Sequence, residues 1–155
     1  MRAGHPAPAP SRVPVVLLFG QPLAGAVVGV LWWALTRHPA DWLVGEPVVV
    51  SSSLYPIARD GVFAVLTGVV GALAGLLVAA RPGPRPLVTF TAAVAGALAS
   101  ALIAAGLGSS LPPTAVEDPA HVTLLAWVVL LVQVLAVTVV VAAATLVQAA
   151  LDWTR

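Results

Sequence analysis

The chain has no cysteine, no lysine and few charges of either sign. Without cysteine it has no disulfide, no thiolate metal site and no thiol nucleophile. Charged residues are 8% of the 155 residues, whereas soluble domains contain about 25%. The basic residues are seven arginines, and the net charge is +1. Because this leaves no basic stripe, the sequence argues against nucleic-acid binding.

Hydrophobic residues are abundant instead, at 60% of the chain, which excludes intrinsic disorder as a general state. They are concentrated in four runs, at about 13–36, 61–80, 87–107 and 122–151. Each run has about the 20 residues that a helix needs to cross a bilayer. None has an arginine, aspartate or glutamate in its interior. Because backbone polar groups in lipid must be paired within the segment, each run predicts a transmembrane helix.

The predicted fold class is an all-α membrane protein, with four transmembrane helices in an antiparallel bundle over residues 13–155. The proline-rich residues 1–12 predict a disordered cytoplasmic tail, and residues 37–60 predict the one sizeable external loop. A cleaved signal peptide is the alternative for the first run. The run is longer than the usual apolar stretch of about 7–15 residues, and it ends in Trp32 and Trp33 rather than a small-residue cleavage site.

The arginines predict the orientation in the membrane. With four spans, both termini lie on one side, and most arginines flank that side. The residues in question are Arg2, Arg12, Arg81, Arg85 and Arg155 on the terminal side and Arg37 and Arg59 on the other. The positive-inside rule therefore predicts a plasma-membrane protein with both termini cytoplasmic. The aromatic belts are predicted to contain Trp32, Trp33, Trp42 and Trp127 outside and Trp153 inside.

Small residues at intervals of four predict close helix packing. They are Gly25 and Gly29 in the first run, Gly71 and Gly75 in the second, and Ala92, Gly96, Ser100 and Ala104 in the third. The same faces could instead bind a partner membrane protein or a second copy, so the oligomeric state stays open. The short turn at 81–86 (RPGPRP) predicts that the second and third helices are antiparallel neighbours, and Asp60 is a candidate N-cap of the second.

Two polar groups within the spans are the functional candidates. Gln21 precedes Pro22, which predicts a kink, and the pair is either a buried amide with a partner or a hinge lining a substrate path. Thr138, Thr145 and Gln148 share one face of the fourth helix with Asp152. That face is either a hydrogen-bonded seam between helices or part of an ion path. Gln133, near the middle of the same helix, cannot titrate, which disfavours a proton path.

The external segments contain aromatic anchors and scattered potential ligands. The 37–60 loop is predicted to be a lid lying over the bundle, because aromatic side chains prefer the level of the lipid headgroups. Any external contact is predicted to use this lid, and its candidate residues are Trp42, Glu46 and Tyr55. A metal site would need three or four side chains to converge. The potential ligands are His38, Asp41, Glu46, Glu117, Asp118 and His121. Their spacing does not predict such a site, and neither a cofactor site nor a catalytic residue is predicted.

The pattern as a whole resembles a family of small actinobacterial four-helix membrane proteins of uncharacterised function. The resemblance rests on residues 29–33 (GVLWW), a glutamate-bearing external loop, residues 59–63 (RDGVF) and a glycine-spaced second helix that ends at Arg81. It covers about residues 14–110. The family implies the topology and no activity.

The sequence therefore favours a non-enzymatic integral membrane protein that is an accessory or scaffold component of a membrane complex. Its predicted partners are the lipid bilayer and a membrane protein bound through small-residue helix faces. The alternative is a small transporter or channel component, on the evidence of Gln21, Pro22 and the polar face of the fourth helix. A membrane enzyme acting through the external loops ranks third.

Overall fold

The structure, a computed structural model, describes residues 12–36, 55–81, 84–111 and 124–154. These ranges form four long helices and a short 3-10 helix that leads into the last of them. The long helices are α1 (Val13–Thr36), α2 (Tyr55–Ala80), α3 (Pro86–Ser110) and α4 (Val132–Trp153), and the 3-10 helix is Trp127–Leu131. All four are long and apolar enough to cross a membrane, so the predicted all-helical fold class is confirmed.

Large apolar side chains face outward along every helix. Leu23, Leu73, Leu102 and Leu146 are all more than half exposed. The interior is made largely of alanine, glycine and small polar residues. In water this distribution would be unfavourable, whereas in lipid the tails cover the large side chains and small residues let the helices approach. The chain is therefore a multi-pass integral membrane protein.

The closest helix pairs are α1 with α3 and α2 with α4, and each pair runs in the same direction. Contacts between α1 and α2 and between α3 and α4 are looser and antiparallel. The short turn predicts α2 and α3 as near neighbours, but these two helices touch only slightly. The two helices are thus in contact as predicted, but the closest pairing follows the position of the glycines rather than the connection along the chain.

Glycines set the α1–α3 contact. A Cβ atom added to Gly25 would lie 2.7 Å from Ser100 Cα, and one added to Gly29 would lie 2.6 Å from Ala104 O. No side chain larger than hydrogen fits at these distances. The α2–α4 contact is built in the same way, since a Cβ on Gly75 would lie 2.9 Å from Val140 Cβ. These predicted packing glycines are therefore used inside the bundle.

Asp60 does not cap α2, because that helix begins at Tyr55 rather than at Gly61. The carboxylate is buried and accepts hydrogen bonds from the backbone N–H groups of Leu125 at 3.2 Å and Ala126 at 2.8 Å. It thus satisfies donors just before the 3-10 helix, at the end of the bundle where α2 starts. The N-cap prediction is wrong about the helix, since the capped backbone belongs to the segment that leads into α4.

Trp32 is not in an interfacial belt, because its side chain is fully buried. Its indole Nε1 donates to Arg59 O at 2.9 Å, and its ring meets Phe63 edge-on with centroids 5.1 Å apart. Gly108 of α3 makes room for the indole, since a Cβ there would lie 2.9 Å from Trp32 Cζ3. Trp127 and Trp153 are 74% and 92% exposed, as interfacial anchors would be.

Candidate functional site

The interior of the bundle consists of two separate apolar clusters. The first, which we call the Trp32 cluster, consists of Val28, Trp32, Phe63, Ala101, Ala104 and Leu130. The second, which we call the Leu17 cluster, consists of Leu17, Ala74, Val78, Ala93, Ala97 and Val137. Every helix, taking α4 with its preceding 3-10 helix, contributes to both clusters. Something other than apolar packing must therefore occupy the level between them.

That level is occupied by four polar side chains, one from each helix. The polar layer, as we name it, consists of Gln21, Thr67, Ser100 and Gln133. Along each helix, the polar residue lies between a member of the Trp32 cluster and a member of the Leu17 cluster. All four side chains are at most 5% exposed. A polar layer thus crosses the bundle between two apolar halves.

Hydrogen bonds connect three of the helices through this layer. Gln21 Nε2 donates to Ala93 O of α3 at 2.9 Å, and Gln133 Nε2 donates to Gln21 Oε1 at 3.2 Å. Gln21 therefore uses both its amide nitrogen and its carbonyl oxygen. Thr67 donates within its own helix to Phe63 O at 2.8 Å. Two buried polar atoms, Gln133 Oε1 and Ser100 Oγ, have no hydrogen-bond partner.

The layer contains amides and hydroxyls and no titratable group. It can orient helices and bind a neutral polar molecule, but its own side chains cannot take up or release a proton near neutral pH. Sequence reasoning identified Gln21 and noted Gln133, because amides are conspicuous in apolar runs. It missed Thr67 and treated Ser100 only as a packing residue. Their signal is the alignment of one polar residue per helix, which needs the helix register.

Pro22 is half-buried, and α1 continues as one helix on both sides of it. Gln21 lines a cavity of about 290 Å³ between α1 and α2. The other lining residues, all apolar, are Val16, Leu17, Gly20, Ala24, Val70, Leu73, Ala74 and Leu77. Pro22 is not among them, so the structure does not bring the hinge candidate to the wall of this cavity.

The polar face of α4 lines a different cavity. Thr138, Thr145 and Gln148 border a space of about 340 Å³ between α4, the end of α2 and the start of α3. We call this space the α4 groove. Apart from Thr89, the other residues that line it are apolar, and they include Val78 and Phe90. The groove and the cavity beside Gln21 have no lining residue in common, so the two groups of sequence candidates are not brought together.

The predicted hydrogen-bonded seam between helices does not use these threonines. Thr138 Oγ1 donates to Val134 O and Thr145 Oγ1 to Ala142 O, both at 2.8 Å and both within α4. Both threonines and Gln148 are exposed. The hydroxyl groups of the polar face are thus hydrogen-bonded within α4, and the face itself is exposed on the surface of the bundle.

The other sequence candidates fall largely outside the described residues. Trp42 and Glu46 of the loop lie there, and Tyr55 is described only as the first residue of α2. All of the potential metal ligands also lie outside the described residues. They are His38, Asp41, Glu46, Glu117, Asp118 and His121. Within the ranges that the structure describes, no group of three acidic, histidine or cysteine side chains could hold a metal ion.

Comparison of the chain with protein-family models, with curated proteins and with solved structures finds no match. The resemblance to actinobacterial four-helix proteins therefore stays a prediction.

Proposed function

We propose that this protein is a non-catalytic accessory subunit of a membrane complex, and that the α4 groove receives one transmembrane helix of a partner protein. The observation that carries the proposal is the unequal packing of α4. Its first half is held against α2 at Gly71 and Gly75. From Thr145 to Trp153 every described side chain is exposed. The second half of α4 is therefore available for contact in the membrane.

The exposed face of α4 has the spacing of a helix-packing surface. Small or polar residues recur at alternating intervals of four and three, and all of them are exposed. We call this set the α4 seam, which consists of Thr138, Ala142, Thr145, Ala149 and Asp152. That spacing suits a partner helix crossing at about 20°. Small residues along it would let the partner's backbone come close.

Gln148 favours a protein partner over a lipid chain. It lies five residues before the interfacial Trp153, or roughly 7.5 Å inward at about 1.5 Å per residue. Its amide is therefore near the edge of the hydrocarbon, where a polar group without a partner is costly. An acyl chain has no group that can hydrogen-bond this amide. A transmembrane helix with a polar side chain or an open carbonyl can do so.

Asp152 favours a different protein over a second copy of this chain. In a dimer through the α4 seam with its two-fold axis along the membrane normal, the two α4 helices would be parallel and each seam residue would lie beside its own equivalent. The two Asp152 carboxylates would then meet as like charges. A partner helix with an arginine, lysine or other donor at the same depth would instead complement the seam. We accordingly assign to the partner small residues along its contact face and a basic residue near its end.

A transporter receives less support than an accessory subunit. A substrate path would require Gln21 and the polar face of α4 to line one continuous space. Gln21 is instead hydrogen-bonded on both sides, and its neighbouring cavity is lined by apolar residues. The polar side chains of α4 lie on a separate groove. We propose no catalytic role for this protein.

The experiment is co-purification from the native membrane in mild detergent. Ala142→Trp fills the α4 seam, whereas Leu102→Trp places the same side chain at an exposed position on α3. The native protein and Leu102→Trp should elute as a complex with one defined membrane protein, and Ala142→Trp should elute alone. A native protein that elutes alone, or equal retention of the partner by both variants, would contradict the proposal.

A further inference from the structure

We propose that the polar layer binds one water molecule, held between Gln133 Oε1 of α4 and Ser100 Oγ of α3. The inference is independent of any partner at the α4 groove. It starts from two atoms that are buried and have no hydrogen-bond partner. Gln133 is fully buried and Ser100 is 1% exposed, so neither atom is reached by solvent from outside the bundle.

The Gln133 carbonyl oxygen cannot be satisfied by reversing the amide. Gln21 Nε2 is committed to Ala93 O, so Gln21 Oε1 faces the Gln133 amide and requires a donor. Only Gln133 Nε2 can supply it, which directs Gln133 Oε1 away from Gln21. Nearly all buried polar atoms in folded proteins have a partner, either protein or bound water. A donor is therefore required at Gln133 Oε1.

Ser100 is the exception among the hydroxyl residues of the described ranges. Every other described serine or threonine donates to a carbonyl three or four positions earlier. They are Thr36, Thr67, Thr89, Thr91, Ser109, Ser110, Thr138, Thr145 and Thr154. Ser100 lies in the middle of α3 and makes no such bond. Its hydroxyl is thus free to bond to a molecule outside the helix.

Ser100 lies within about one helical turn of the level at which α3 meets the Gln21 amide. Gly96 of α3 makes room for the Gln21 amide, since a Cβ there would lie 3.0 Å from Gln21 Nε2. Ser100 is four residues further along α3 than Gly96, a rise of about 6 Å at about 1.5 Å per residue. A water bridge spans about this distance, because each of its two hydrogen bonds is about 2.8 Å long.

Water has the right chemistry for this site. One O–H of the water donates to Gln133 Oε1, and the water oxygen accepts the Ser100 hydroxyl hydrogen. Both unpaired atoms are then satisfied without any charge in the membrane interior. A metal cation would need several more oxygen ligands than the two unpaired atoms provide.

The composition of the chain makes a direct test possible. The sequence contains three glutamines and no asparagine. Labelling the full chain with side-chain ¹⁵N-glutamine in lipid nanodiscs therefore gives three amide signals, which Gln21→Leu and Gln148→Leu assign. Transfer of magnetisation from water protons to each amide is then measured. The positive control is Gln148, because in nanodiscs that contain no partner protein its exposed side chain can extend to the interfacial water.

In the native protein, we expect magnetisation to be transferred from water to the buried Gln133 amide. In Ser100→Ala this transfer should be lost or fall several-fold. Unchanged Gln21 and Gln148 signals in that variant would show that the bundle is still folded. Absence of transfer to Gln133 in the native protein, with transfer to Gln148, would overturn the water site. Transfer to Gln133 that persists at full strength in Ser100→Ala would overturn the assignment of Ser100 as the second partner.

Discussion

Gln21 in α1 and Gln133 in α4 are hydrogen-bonded at 3.2 Å, although the backbones of these two helices make no close contact over the described residues. Gln21 also donates to Ala93 O of α3. One side chain therefore connects the tightly packed α1–α3 pair to the α2–α4 pair. In lipid, such a hydrogen bond makes the association of the helices specific, which contacts between apolar side chains alone do not.

The amide pair predicts energetic coupling between α1 and α4. Gln21→Leu alone leaves Gln133 Nε2 without an acceptor, and Gln133→Leu alone leaves Gln21 Oε1 without a donor. Each single variant should cost about 1–3 kcal/mol in the free energy of unfolding. The double variant leaves no unpaired amide. Its loss of stability should therefore be smaller than the sum of the single losses, by about 1 kcal/mol.

The measurement is a double-mutant cycle on the free energy of unfolding in detergent. Gln21→Leu combined with Gln148→Leu is the control pair, because Gln148 lies on the separate α4 groove. This control should be additive. Additivity of the Gln21 and Gln133 variants would mean that their hydrogen bond does not join the helices.

The glycine contacts predict opposite outcomes for two identical substitutions. Gly25→Ala forces a methyl group against the Ser100 backbone, whereas a Cβ at Gly106 of α3 meets nothing within 4 Å. Gly25→Ala should destabilise by about 1–3 kcal/mol through overpacking. Gly106→Ala should be neutral or stabilise by up to about 1 kcal/mol, because alanine favours the helix. Melting temperatures in detergent test the pair, and similar values would show that Gly25 does not mark a close contact.

The Asp60 carboxylate predicts a local effect at the start of α4. Asp60→Ala removes the acceptor for the N–H groups of Leu125 and Ala126 and should cost about 1–3 kcal/mol. Hydrogen exchange at residues 125–131 should rise before exchange within α4. Asp152→Ala, at the exposed far end of α4, is the control. Equal protection of residues 125–131 in both variants would refute the anchoring role.

The topology prediction is tested by reporter fusions. The arginine distribution predicts a cytoplasmic signal for a fusion after Arg155 and an external signal for one at Ser52. The reason is that arginines near span ends are retained in the cytoplasm. The same signal at both positions would mean that the chain is threaded differently.

The fold class could be predicted from the sequence because the lengths and apolarity of the runs decide it. The helix pairing could not. The turn at 81–86 suggests α2 beside α3, whereas Gly25 and Gly75 select other partners. Trp32 looked like an interfacial residue because it is close to a span end. Its burial depends on Gly108, which is distant in the sequence and adjacent only in the fold.

The candidate site was predictable only in part. A glutamine in an apolar run is visible in the sequence, and so is a polar face on α4. The connection of Gln21 to Gln133 depends on the relative register of helices separated by most of the chain. The same is true of the alignment of Thr67 and Ser100 with them, so hydropathy alone does not reveal the polar layer.

The central claim is that the α4 seam receives a helix of another protein, and in-cell photocrosslinking tests it most directly. A photoreactive amino acid is placed at each position from 138 to 152 in turn, and at Leu102 as the lipid-facing control. Crosslinks to one defined membrane protein should appear at 138, 142, 145, 148, 149 and 152, with little at the positions between them and none at Leu102. Crosslinks to a second copy of this chain, equal crosslinks at all positions, or no protein crosslink at the seam would contradict the account.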